Sequence, residues 1–268
     1  SAQFDDLDVT QFRNTIMPAL ARGRPSSRAV GIYVGWRGAS LDLPSAVQSI
    51  TFYDRKSTAD HVARGSVREL FSHLQAIRQE PAAASGREVR LTLIGHSFGG
   101  LIVYNSVAES LLNSLVAANH GNPAAPRKAI PIADLILLLN PAFEASRFEP
   151  LFQAAKDQPS WAGPAWNYGE AQRPILVSIT SEADSATRIA FPLGRTVNSL
   201  FQHEGWTDQD VPRGDYSERL EKVANTHTIG HMERYRTHQL RLSDSAQQGD
   251  AGLDGLACKV LPNPLVAD

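Results

Sequence analysis

Apolar and polar positions along the chain switch between two patterns. Four short stretches are almost continuously apolar: "RAVGIYVGW" (28–36), "EVRLTLIG" (88–95), "DLILLLN" (134–140) and "PILVSITS" (174–181). Runs of that length, rich in Val, Ile and Leu, predict strands buried on both faces. "SITFYDR" (49–55) adds a shorter candidate. Between them the apolar residues move to every third or fourth position. In "ADHVARGSVRELFSHLQAIRQ" (59–79), Val62, Val67, Leu70, Leu74 and Ile77 share one side of a helix. "GGLIVYNSVAESLLNSLVAA" (99–118) predicts a second, more apolar helix. "LEKVANTHTIG" (220–230) reads as a final strand, and "YRTHQL" (235–240) as a loop entering another helix. Buried strands alternating with helices predict an α/β protein whose mostly parallel sheet carries helices on both faces.

The pattern is that of one domain over residues 1–242. It is interrupted by an irregular excursion at about 141–174 and followed by a weakly periodic tail, 243–268. An excursion that leaves a strand end is placed to cover a site there. Phe143, Phe148, Leu151, Phe152, Trp161 and Trp166 offer it an apolar lining for an acyl group, or equally a means of packing onto the domain.

Composition narrows the function classes. The chain has 268 residues, 42% hydrophobic and 20% charged, with a formal net charge of -2. That balance gives no electrostatic case for nucleic acid. No run of eighteen apolar residues suggests a transmembrane segment. The start "SAQFDDLDVTQF" lacks the basic-then-apolar layout of a secretory signal, which leaves open a soluble protein of the cytoplasm or one secreted after a signal is removed. Cys258 is the one cysteine, too isolated for a zinc site and unable to form an internal disulfide. No metal or cofactor is expected, and nothing indicates an oligomeric state.

The chemistry concentrates in "LTLIGHSFGGLIVYNSV" (91–107). Gly95-His96-Ser97-Phe98-Gly99 has the spacing G-x-S-x-G, with an apolar strand before it and an apolar helix after it. A sharp strand-to-helix turn of this kind lifts a serine hydroxyl to the carboxyl edge of the sheet. The backbone amide of Phe98, at the positive end of the helix, is then aimed at a developing oxyanion. A phosphate-binding loop is a poor alternative, since "GHSFGG" lacks the lysine of a P-loop and the dinucleotide spacing.

A serine nucleophile needs a base and an acid to orient it, and on this architecture they follow in the order acid, then histidine. Asp184, just past the strand in "PILVSITS", is the favoured acid; Glu182 and Glu144 are alternatives. Of the later histidines, His203 comes too early and His227 falls in the expected last strand. His238 is the first choice for the base and His231, after Gly230, the second. His61, His73, His96 and His120 precede the acid and read as surface or packing residues.

"VGIYVGWRGAS", "ITFYDRKSTADHV", "LIGHSFGG", "LLLNPAFEA", "VSITSEADSATRIAFPLGR" and "TIGHMERYRTHQL" together resemble the serine esterases and lipases of the α/β-hydrolase superfamily, and most closely a bacterial and fungal group within it. The likeness spans roughly Ala29 to Leu240. It implies a carboxylic ester, lipid esters included, as substrate and an acyl-enzyme on Ser97; its "TH-x-L" ending also favours His238. Amidase or thioesterase chemistry would use the same triad. A non-catalytic relative binding a hydrophobic ligand or partner in the same cleft is the competing class. Such hydrolases draw a second oxyanion amide from an early His-Gly loop, and none precedes Ser97. "VGWRG" offers Trp36 for that part. The preferred reading is that the chain begins after the missing N-terminal strands and loop, with the second donor unassigned.

Overall fold

The computed structural model describes residues 9–10, 12–18, 28–36, 56–80, 88–119, 131–156, 173–182, 218–242 and 256–261. Asp184, His120, His203, Trp161, Trp166 and the candidate strand at 49–55 lie outside them. The chain divides into two compact units, Ser1–Gly38 and Ala39–Asp268.

In the first unit a short π-helix, Phe12–Ile16, is followed by the extended stretch 28–36. Phe12 and Tyr33 pack with ring centroids 5.8 Å apart. A side chain at Gly31 would collide with Phe12 and Met17, so the lack of a Cβ there permits the packing. The expectation of a buried strand at 28–36 is corrected: among the described residues it pairs with no strand, and Val30 is 73% and Ile32 51% exposed. Its apolar composition supplies the propensity for a strand but not the neighbour that would bury it.

The second unit contains the sheet. Strands β1 (Thr92–His96), β2 (Leu135–Leu139) and β3 (Leu176–Ile179) run parallel in the order β1-β2-β3. Their register aligns His96 with Leu139 and Leu139 with Ile179. Three consecutive strands therefore end at one level, and whatever follows each of them emerges along one edge. At the opposite edge Asp134 accepts the Leu91 N–H at 2.8 Å and pairs bidentately with Arg78. Its hydrogen bonds from Arg78 hold that carboxyl below the usual carboxylate range.

Helix α1 (Ser66–Gln79) continues a helix over 56–64 after an interruption at Gly65. Ala59, Ala63, Val67 and Phe71, four residues apart, form the buried stripe through both, whereas Ile77 at the end of the expected face is exposed. Helix α2 (Phe98–Asn119) packs on β1, β2 and α1. It is long and apolar enough to cross a membrane by composition. Its Leu101, Ile102, Val103, Tyr104, Val107 and Leu111 are instead buried in the core, which explains a helix apolar nearly all round.

The 3-10 turn Ala145–Arg147 and helix α3 (Glu149–Lys156) follow β2. Phe143 and Phe152 are fully buried, Tyr104 stacks on Phe143 at 4.5 Å, and Phe148 and Phe152 meet Tyr235 edge-on. The first part of the excursion is thus core, and Phe143, Phe148, Leu151 and Phe152 pack it down.

The expected last strand is also corrected. Residues Glu218–Thr226 form helix α4, followed by 3-10 turns at Ile229–His231 and Glu233–Tyr235. Glu, Leu, Lys and Ala are good helix formers, and only Ala224 of its first apolar positions is fully buried. "YRTHQL" leads into strand β4 (His238–Leu242), not a helix. β4 pairs antiparallel with β5 (Leu256–Val260) from the tail, in a separate two-stranded sheet.

Candidate functional site

Ser97 stands where β1 passes directly into α2, and its backbone φ is 54°. For a non-glycine residue that left-handed conformation costs about 1–3 kcal/mol and must be enforced by the surroundings. The enforcement is visible. The Ser97 N–H donates to the Leu139 carbonyl at 3.0 Å, while its own carbonyl accepts from Gly100, Leu101 and Ala142 at 3.0–3.3 Å. The turn is thereby fixed to its helix and to the end of β2, and the Ser97 side chain is half-buried.

Glycines make the turn possible in unequal measure. A Cβ at Gly95 would sit 2.5 Å from the Gly99 carbonyl oxygen and 2.8 Å from the Gly100 Cα. One at Gly100 would lie 3.0 Å from Pro141. At Gly99 it would meet nothing within 4 Å. The close approaches that shape the turn belong to Gly95 and Gly100, so the glycine two residues after the serine is not the one held by packing.

Phe98 opens α2, where the first amides have no partner within the helix. The first turn contains no acidic side chain to offset its positive end. The Phe98 amide follows Ser97 directly at that end of the helix. Trp36, the other amide considered from sequence, is half-buried in the first unit.

The next strand ends bring other groups to this edge. Asn140, after β2, also has positive φ (42°), which asparagine tolerates better than most residues. Its N–H donates to the Ile179 carbonyl and its Oδ1 accepts the Ser181 N–H, each at 2.8 Å. The chain leaving β3 toward Asp184 is thus tied to the end of β2. Thr180, next along, fills the space where Gly230 would carry a Cβ. His231 follows Gly230 immediately, so its 3-10 turn is seated against the end of β3. The Glu144 and Thr228 backbones form an antiparallel bridge, and the Ala145 N–H donates to the His227 carbonyl at 2.9 Å. Residues 227–231 are consequently attached to the segments after both β2 and β3, and Ser97 to the segment after β2.

The other histidines are placed differently. His238 is exposed on β4, opposite Val260, with Nδ1 2.9 Å from the Thr237 hydroxyl. His227 follows α4, its Nδ1 3.0 Å from both the Val223 carbonyl and the Thr226 hydroxyl. His96 and His73 are exposed. Of the carboxylates, Glu182 is exposed and 4.0 Å from Arg236. Glu144 is buried against Lys56, with Arg147 at 2.9 Å from its other oxygen, so it is engaged as a structural ion-pair partner. Arg147 extends the group to Asp60 at 3.1 Å, and Asp60 to Asn105. This set, buried at Lys56 and Glu144, has almost no signature in sequence, because those two are 88 positions apart; only the i,i+3 spacing of Glu144 and Arg147 hints at it.

A family model described as the alpha/beta hydrolase family matches residues 11–244. No curated protein and no solved structure matches the chain.

Proposed function

The chain belongs to the alpha/beta hydrolase family, and we propose that it is a serine hydrolase acting on carboxylic esters through an acyl-enzyme on Ser97. The observation that carries this reading is the positive φ of Ser97 at the junction of β1 and α2. A serine held at this energetic cost, at the carboxyl edge of a parallel sheet, is what a nucleophile requires and what packing alone does not.

In the proposed reaction the Ser97 hydroxyl attacks the ester carbonyl while a histidine takes its proton. The tetrahedral oxyanion receives the Phe98 amide, and the protonated imidazole returns the proton to the departing alcohol. Water, activated by the same histidine, then releases the acid and restores the serine. We assign the base to His231, the second choice from sequence, because Gly230 interlocks with Thr180 at the end of β3. Asp184, two residues beyond the described end of that segment, is the proposed acid that orients the imidazole. A second oxyanion donor, left unassigned in the reading preferred from sequence, would be a backbone amide other than that of Phe98.

Ester, thioester and amide cleavage share these parts, so the substrate class is set by leaving-group reactivity and the acyl pocket. Matched p-nitrophenyl esters and p-nitroanilides of two to eight acyl carbons test it. Turnover of the esters at least 100-fold faster than the anilides is expected. Preferential cleavage of the anilides would replace an esterase by an amidase.

A further inference from the structure

His231 sits in a single 3-10 turn, Ile229–His231, with another, Glu233–Tyr235, directly after it. Such turns have little internal cohesion, so the course of the chain through His231 depends on what the flanking residues hold. Both flanks are held by the segment that follows β2. Three residues before His231, Thr228 is bridged to Glu144. Three residues after it, Arg234 forms a two-point ion pair with Glu149, Nη2 to Oε1 at 2.7 Å and Nε to Oε2 at 3.3 Å. The Tyr235 hydroxyl also donates to Glu149 Oε2.

Both attachments are sheltered from water. The side chains of Arg234 and Glu149 are 17% and 12% exposed. The guanidinium lies 4.9 Å from the centroid of the Phe152 ring, and Tyr235 packs edge-on to Phe148 and Phe152. On the other flank Glu144 is anchored by Lys56 and Arg147.

We propose that the segment 144–152 is a brace that positions the base, with Glu149, through Arg234 and Tyr235, as the positioning residue that fixes the chain on the far side of His231. The inference rests on the reading of His231 as the base. It gives the aromatic excursion a different task from a lid over substrate: Phe148 and Phe152 supply the apolar seat on which the Glu149, Arg234 and Tyr235 cluster is desolvated. A charged pair in that setting is geometrically demanding. A loss there should loosen the imidazole rather than weaken substrate binding.

The test uses the full chain with p-nitrophenyl acetate. In Glu149→Gln, kcat is expected to fall at least tenfold with KM changed less than twofold. Tyr235→Phe, which removes one hydroxyl and keeps the ring, should lower kcat at least threefold with the same KM. Phe71→Leu, in the core stripe of α1, controls for general destabilisation and should leave kcat within twofold. If Glu149→Gln does not fold, the Tyr235→Phe result decides. Wild-type kcat and KM in folded Glu149→Gln or Tyr235→Phe, or a raised KM alone, would overturn the brace and leave the serine hydrolase intact. A folded wild type without esterase activity removes both.

Discussion

Replacing His231 with alanine is expected to reduce kcat for an activated ester by roughly 10⁴- to 10⁶-fold, the range seen when a serine hydrolase loses its base. His238→Ala should retain activity within about threefold, in line with a substitution at an exposed strand position. The reason for the asymmetry is where the two residues are attached. The His231 turn is joined through Gly230 to Thr180 beyond β3 and through Thr228 to Glu144 beyond β2. Ser97 is joined to that same β2 end through the Leu139 carbonyl and the Ala142 N–H. His238 is exposed and directed along a hairpin with the tail, its Nδ1 occupied by the neighbouring threonine. Steady-state kinetics of both variants, with circular dichroism to establish folding, would check this. Loss of activity in His238→Ala with retention in His231→Ala would transfer the base to β4.

The second large effect concerns the turn itself. Gly95→Ala is expected to destabilise the protein by about 3 kcal/mol or more, because the new methyl meets backbone that has no rotamer with which to yield. The obstructing atoms are the Gly99 carbonyl oxygen and the Gly100 Cα, at 2.5 and 2.8 Å. Relief would require moving the first turn of α2, and with it the Ser97 carbonyl contacts and the Phe98 amide. Gly95→Ala should therefore lose activity even under conditions where it remains folded. Gly99→Ala introduces a methyl into open space; alanine is the better helix former by up to about 1 kcal/mol. It should be neutral or slightly stabilising, with activity preserved unless the methyl meets bound substrate. Urea denaturation of the two variants against wild type measures the difference. Equal stability of Gly95→Ala and Gly99→Ala would mean that the turn is not packed as described.

The strands around the site were legible because Leu135 to Leu139 leave no polar face and Leu91 to Ile94 are interrupted only by Thr92, a pattern that few environments besides a covered parallel sheet satisfy. Helix α2 was legible for a related reason: it is too apolar to be a surface helix and begins at the glycines. The stretch 28–36 has the same composition but is exposed, which shows that composition reports the capacity to be buried and not the partner. The strand expected over 220–230 is a helix up to Thr226, where Glu221, Lys222 and Ala224 supply the helical preference that won locally.

At the site, the passage from strand to helix at Ser97 was legible and its close contacts were not. The sequence G-x-S-x-G treats Gly95 and Gly99 alike, whereas the close contacts fall on Gly95 and Gly100. The proposal of His231 over His238, the first choice from sequence, rests on contacts across long separations. Gly230 precedes His231, but its close approach is to Thr180, fifty residues earlier in the chain. The carboxylates of the brace are likewise about 85 residues from the groups they hold. Local patterning contains no record of such pairs, since each member is an ordinary surface residue type until the fold brings the two together.

The most direct measurement is covalent labelling with a fluorophosphonate, read by intact mass and peptide mapping. A single adduct on Ser97 of the folded wild type, absent from folded Ser97→Ala, is the predicted result. No adduct on the folded wild type, or an adduct that persists in Ser97→Ala, would contradict a nucleophile at the turn between β1 and α2.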